Sequence, residues 1–522
     1  MDDGEAMRIF DMEEIVGKDL VIEDPITSSS HAKKKPKKRG KEKEQKSSEA
    51  HEVELLIKRK REKVPSSPSD YTIYRVPKAL FQEKSEAYVP HRVSIGPIYH
   101  GYSEHLKDME AHKMQYLEKF LNRKSGAATN LCDYIKAVRE LEGRAYQCYP
   151  DLKIDRNSFV TMMVVDGFFI LELLLQQMED RQTLSEQKWS VGFFQDLIML
   201  ENQLPIFVLE ALYKVFINGD DVDDDNTWTL YGLMCNHFVP EILIMLSKED
   251  KINCPSHEIQ KLKPPEAAAE KPKNLLDFVR QFLIQPLPIF CIQPPPPPRD
   301  QKCFSDLVPA ACTHVRLCGL CLGSQDPIDE EDYPLLIPDK KIEHIRCATE
   351  LQKAGVNFEK TKKLTSLRDI KFKNGVLTIP CITIHYGTDG ILRNLIAYEQ
   401  YIEEFGYITE YVAFMDGLID SPQDVELLQK TGIIVTLFGD PTDVARLFNN
   451  LLKDVTVPFY FTVNVRHKVE KYYNMRCHKW KAGLMINYFN SPWSFISVVA
   501  AIILIAFTII QTIYAVLAYH HH

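Results

Sequence analysis

The sequence predicts a mainly α-helical fold: one large helical domain with a minor β element, followed by a C-terminal transmembrane helix. Three observations carry that prediction. Apolar residues recur at helical spacing through four successive segments of the N-terminal half. One later segment, "VLTIPCITIHY", alternates and is rich in β-branched residues, as a strand would be. The final apolar run, Trp493 to Tyr519, holds 27 residues and no charge.

The helices follow in order. In "HLKDMEAHKMQYLEKFLNR" the apolar positions Leu106, Met109, Tyr116, Leu117, Phe120 and Leu121 share one helical face. "LCDYIKAVRELEGRAYQCY" repeats the pattern. "FVTMMVVDGFFILELLLQQMED" is more apolar still, and reads as too short and too interrupted to span a bilayer. "FFQDLIMLENQLPIFVLEALYKVF" completes the set, with Pro205 ending or kinking it. Four such helices in succession predict a packed helical domain.

The middle of the chain changes character. "NGDDVDDDNT" is acidic and turn-like, and the five prolines Pro294 to Pro298 exclude regular helix or central strand. Residues 216–340 therefore read as a loop-rich, proline-rich insertion holding one or two helices such as "NLLDFVRQFL". Order returns with "IRCATELQKAGVNFE", a helix stopped by Gly355. After the strand, "DGILRNLIAYEQYIEEF", "YVAFMDGLID", "PQDVELLQKTGIIV" and "DVARLFNNLLKDV" are again helical.

Composition sets the broad class. The chain has 522 residues, 45% hydrophobic and 26% charged, within the globular range. The start, "MDDGEAMRIFDMEEIVGKDL", lacks the basic and apolar regions of a secretory signal. The 12 cysteines are scattered, which reads as reduced thiols in a cytosolic setting. Residues 1–70 read as a disordered, charged tail. Between His31 and Glu49, nine Lys or Arg face three Glu. A nuclear-import or nucleic-acid arm, an arm lying on anionic lipid, and a solvated tail all fit that composition. Nucleic acid is the least favoured partner.

Residues 493–519 read as the membrane anchor. Fourteen of them are Ile, Leu, Val or Phe. At roughly −0.3 to −0.6 kcal/mol each, these contribute about −4 to −8 kcal/mol to insertion. At about 1.5 Å per residue the run is roughly 40 Å long, enough for a hydrocarbon core of about 30 Å. Trp493 and Tyr519 sit where an aromatic belt would lie. Arg476, Lys479 and Lys481 precede the span, so the N-terminal bulk is expected to face the cytosol. This is the pattern of a single-pass, tail-anchored protein whose one non-protein partner is the lipid bilayer.

Seven motifs in order place the chain further. They are "YVPHRVSIGPIYHG", "MEAHKMQYLEKFL", "VVDGFFILELL", "DLIMLENQLPIFVLEALY", "ATELQKAGVNF", "LTIPCITIHYGTDGILRNLIAYEQ" and "MDGLIDSPQDVELLQKTGII". Together they resemble the plant family called domain of unknown function 247, from about Val76 to the end. The family domain is expected over residues 71–485. The resemblance implies a membrane-anchored plant protein with no established enzymatic activity. In grasses, members at self-incompatibility loci are implicated as pollen-side determinants of self-recognition, and another member is implicated in sex determination. Where the family often has His before "LLDLVR", this chain has Asn274, and its basic tail lies outside the shared core.

Four groups could carry chemistry. His91, Arg92, Tyr99 and His100 lie close together in "VPHRVSIGPIYHG" and could bind phosphate or move a proton. Pro90, Gly96, Pro97 and Gly101 make that stretch a turn-rich lead-in, and its polar groups are expected to pin it to the core. Asp166, Glu172 and Glu201 sit in apolar helices, where carboxyls can act as acids. They can equally cap a helix or pair with a buried cation, and Glu201, Asn202 and Gln203 read as a polar latch at a helix junction. Cys303, Cys312, Cys318, Cys321 and His314 include one Cys-x-x-Cys pair without a matching second pair. "HYGTDG" lacks both the dinucleotide fingerprint and the P-loop Lys, and reads as a strand-to-helix turn with Thr388 and Asp389 near the N-cap. No Gly-x-Ser-x-Gly, His-Glu-x-x-His or kinase signature is found. No catalytic, cofactor-binding or metal residue is therefore assigned, and no small-molecule substrate is evident.

The sequence thus favours a membrane-anchored recognition or signalling protein that is not an enzyme and acts on an unidentified protein partner. The alternatives are a general membrane-associated regulator and a membrane-bound enzyme using His91–His100 or Glu201.

Overall fold

The computed structural model describes residues 58, 71–123, 130–180, 193–217, 229–246, 271–285, 344–361, 366–402, 405–437, 439–475 and 492–520. All elements below lie in the unit Ser69–His522. The basic tail, the acidic turn, the prolines at 294–298, the five residues of the cysteine group and the cations at 476, 479 and 481 fall outside the described residues.

The fold is mainly helical with a small sheet element. After a short α1 (Lys78–Glu83), α2 (Glu104–Asn122) starts where the Ser103 side chain accepts from the Leu106 amide. α3 (Leu131–Gln147) is capped in the same way by Asn130. Both pack on α4 (Arg156–Asp180), the central helix of this half. From Phe159 to Leu175 almost every side chain of α4 is buried. Full burial of such a side chain contributes about 1.5–3 kcal/mol. Phe168 of α4, Phe120 of α2 and Tyr134 of α3 pack ring against ring, with Phe216 beside Phe120.

The fourth predicted helix is broken. A short turn at 193–197 leads into an irregular junction, and α5 (Ile206–Phe216) restarts with Pro205 at its N-cap. Proline has no amide to place in the helix ladder, so it suits a helix start and not an interior. α5 closes tightly on α4. A Cβ built on Gly167 would come within 2.3 Å of the Leu212 Cδ1 methyl, so a larger residue would force that side chain to move.

The stretch read as an insertion supplies core. α6 (Leu230–Leu246) is buried along most of its length, packing on α4. α7 (Leu275–Ile284) packs on α6 and starts at Asn274, whose side-chain oxygen accepts from the Asp277 amide. Asn274 also donates to the Thr72 carbonyl, tying α7 to the start of the domain. The apolar faces of both helices explain why they are not loops.

The C-terminal half mixes short strands with helices. α8 (Ala348–Lys353) ends before Gly355, which has φ +91°. β1 (Asn357–Lys360), β2 (Lys371–Lys373) and β3 (Val376–Ile379) form a sheet ordered β1-β3-β2, with β1 parallel and β2 antiparallel to β3. β4 (Ile382–Ile384) pairs in parallel with β5 (Ile434–Thr436) in a second sheet. The single strand expected from "VLTIPCITIHY" is thus two strands of different sheets. Pro380, which can donate no ladder hydrogen bond, lies at the switch. α9 (Thr388–Glu399), α10 (Tyr407–Leu418), α11 (Pro422–Lys430), α12 (Pro441–Leu451) and α13 (Val463–Asn474) complete this half.

The last element, α14, runs Pro492–His520. Its stretch Ala500–Tyr514 is apolar and exposed, with Leu504 67% and Tyr514 70% accessible. Among the described residues, the helix long and apolar enough to cross a membrane is Arg156–Gln177 in α4. Its length did not exclude a span, contrary to the sequence expectation. Burial does: 83% of its apolar window is covered by the rest of the protein.

Candidate functional site

The strongest concentration of polar groups lies in the core, where the lead-in segment "HRVSIG" meets the junction "DLIMLENQLP". Asp196 sits in the 193–197 turn. One of its carboxylate oxygens accepts from the His91 amide at 3.2 Å, and the other from Arg92 and Val93 at 2.6 and 2.9 Å. Three consecutive amides thus wrap one carboxylate, an anion-binding nest made of backbone alone. Burial pushes the Asp196 carboxyl up, against the pull of these amides. Asn202 continues the seam. It accepts from the Ile95 amide at 2.6 Å and donates to the Val93 and Asp196 carbonyls, each at 2.9 Å.

Asp166 projects from α4 into the same seam. One oxygen accepts from the Gly96 amide at 2.8 Å and the other from Lys113 at 2.6 Å. Lys113 lies on α2 with its side chain fully buried. Its ammonium has three N–H bonds, and they go to Asp166, Glu110 and the Ser94 carbonyl at 2.6–2.7 Å. Burial alone would lower this ammonium, but Asp166 and Glu110 hold it above the ordinary lysine range. Gly96 must be glycine here. It has φ +72°, and a Cβ would come within 2.7 Å of the Gln203 carbonyl.

The remaining latch residues are used as completely. Glu201 accepts from the Val76 amide at 2.8 Å, and Arg75 lies 3.8 Å away. The Tyr99 hydroxyl hydrogen-bonds Glu201, and burial together with that carboxylate pushes the phenol well up. Gln203 donates to the Leu197 and Met199 carbonyls and accepts from the Leu275 and Leu276 amides. Its side chain thereby caps α7. Asn394 of α9 binds the Leu200 amide and the Ala87 carbonyl, joining the latch to the C-terminal half.

Other buried carboxylates follow the same rule. Glu172 pairs with Arg123 at 2.5 Å. Glu399 binds Arg280 at 3.0 Å and accepts from the amides of Ile408 and Thr409, capping α10. Glu410 accepts from the amides of Phe461 and Thr462 ahead of α13. Asp424 forms the capping box of α11 with Ser421 and reaches the Thr349 amide in α8.

The residues singled out in the sequence separate accordingly. Asp166, Glu201, Asn202 and Gln203 meet in the seam, with Tyr99 at its edge. Glu172 stands apart with Arg123. His91, Arg92 and His100 turn their side chains to solvent, and only the backbone of the first two enters the latch. His100 lies 3.7 Å from Glu110. In "HYGTDG", the Thr388 hydroxyl accepts from the His385 amide, while Asp389 pairs with Arg393 at 2.8 Å and with Lys84. Those partners occupy the α9 start that a phosphate would need. Among the described residues, no group of three or more His, Cys, Asp or Glu is disposed to hold a metal ion.

Sequence reasoning missed Lys113, Asp196, Arg280 and Glu399. Lys113 had a signal: Met109, Lys113 and Leu117 fall four residues apart, so the lysine stands in the apolar stripe of α2. Arg280 likewise interrupts the apolar "LLDFVRQFL".

Residues 73–507 match the family described as plant protein of unknown function, DUF247. A UPF0481 protein of Arabidopsis thaliana is 28% identical over 465 residues, covering 86% of each chain. A second UPF0481 protein of the same plant is 25% identical over 489 residues, covering 84% of this chain and 89% of its own. No solved structure matches. The match spans the latch, both halves of the fold and most of α14, so the chain belongs to the DUF247 family of plant proteins.

Proposed function

We propose that this chain is a membrane-anchored recognition or signalling protein without catalytic activity. The observation that carries the proposal is the exposed apolar helix α14. Its Ile502, Leu504, Ile505 and Phe507 are each about half to two-thirds accessible. Such a surface is unfavourable in water at roughly 25 cal/mol per Å² and is at home in lipid. The cations ahead of α14 favour an orientation with the helical domain in the cytosol, at the plasma membrane or an endomembrane. The lack of catalysis is supported by the use of the buried carboxylates as caps and ion-pair partners.

Within this reading, membership of a family whose grass members are implicated at self-incompatibility loci gives the recognition one specific form, pollen-side self-recognition acting through an intracellular step. Two experiments test the two parts. Protease added to intact cells should leave an N-terminal epitope untouched; its removal would contradict the orientation. Sequencing the gene from a few dozen unrelated plants of one population should yield many divergent alleles. Near-identical alleles would sink the self-recognition form and leave a general membrane-associated regulator.

A further inference from the structure

A cavity of about 410 Å³ opens on the side of the domain where the end of α3, the first turns of α5 and the lead-in to α7 converge. That volume lies within the usual range of small-molecule sites, roughly 300–1,000 Å³. Its walls come from three elements already fixed by the fold. The Ile206 amide donates to the Lys273 carbonyl, and the amides of Thr72 and Ile73 donate to the Cys148 carbonyl. The cavity is therefore preformed and does not depend on a loop closing.

The lining has one chemical character. Its apolar part is Cys148, Ile206, Pro272 and the ring of Phe207. Its charged part is Arg144, Lys271 and Lys273 against one acid, Glu210. Lys271 stands 3.6 Å from Glu210 and offsets that single negative charge. The Arg144 guanidinium lies over the Phe207 ring, 3.9 Å from its centre. That contact holds the guanidinium beside the ring, and a guanidinium can receive a carboxylate or phosphate in two-point fashion.

We propose that this cavity binds a small soluble organic anion, a carboxylate or phosphate monoester carried on a planar apolar body. The anionic oxygens would sit between Arg144 and Lys271, and the body against Phe207. This site is separate from the carboxylate latch and needs no catalysis.

Calorimetric titration of the full chain in phosphatidylcholine nanodiscs tests it, because these lipids carry no net charge and the probe is then the only soluble organic anion added. Phenyl phosphate and benzoate should bind at one site, each about tenfold or more tighter than benzyl alcohol. Arg144→Gln should weaken phenyl phosphate about tenfold, as expected for losing a charged hydrogen-bond donor. Absence of anion binding, equal affinity for benzyl alcohol, or unchanged affinity in the folded Arg144 variant would overturn the assignment.

Discussion

Two helices of this chain are long and apolar, and they end in opposite environments. α4 is the core of the N-terminal half, while Ala500–Tyr514 of α14 is exposed on every described side. Their sequences differ in one telling respect. α4 carries Asp166 and Glu172, whereas no charge occurs between Trp493 and Tyr519. A protein core can match a buried carboxylate with Lys113 or Arg123 and with backbone amides. Hydrocarbon offers no such match, and a charged residue at its centre costs about 2.5–3.5 kcal/mol on the insertion scale. Charge tolerance, more than hydropathy, distinguishes the two helices.

That contrast can be broken from the core side. Lys113→Met removes the only cation whose ammonium contacts Asp166 among the described bonds, leaving an uncompensated buried carboxylate. The expected cost is about 3–5 kcal/mol of folding stability, measured by thermal or denaturant unfolding. A variant as stable as the parent would mean that Asp166 is not held as an ion. The effect should appear in stability and leave the proposed membrane association unchanged.

A smaller effect sharpens the same point on α6, another buried apolar helix. His237 is buried there beside Gln177, and burial pulls its imidazole down to about 4. The folded state therefore binds a proton less readily than the unfolded chain. This contribution to stability is present above the ordinary histidine value of about 6.5 and is lost as pH falls through 4, about 3 kcal/mol in all. His237→Phe should flatten stability across that window relative to the parent. An identical pH slope in the variant would show that His237 is protonated, or already solvated, in the folded protein.

Much of this was legible in the sequence because long apolar periodicities report helices well. The stripes of α2 and α4, the break at Pro205 and the polar run Glu201–Gln203 were all visible as patterns. The sheets were not. β2, β4 and β5 have three residues each, too few for alternation to register, and Pro380 hides the change of sheet inside one apparently continuous strand. α7 was read in advance as the helix "NLLDFVRQFL", whereas α6 was obscured by the acidic sequence before it. The latch itself was half legible. Its side chains stood out as polar residues in apolar runs, but their partners are mainly backbone amides of "HRVSIG", which carry no signature in the identity of the residues. The conspicuous His91, Arg92 and His100 drew attention because of their side chains, while the fold uses the main chain of that segment.

The most direct test of the account is alkaline carbonate extraction of membranes from plant cells expressing the full chain, the double variant Leu504→Arg/Ile509→Arg, and Phe168→Ala. Each arginine should cost about 3 kcal/mol of insertion. The parent is predicted to stay in the membrane pellet and the double arginine variant to be released. Phe168→Ala should remain in the pellet while losing about 3–5 kcal/mol of folding stability. Release of the parent chain, or retention of the double arginine variant, would contradict the claim that α14 holds this protein in a bilayer.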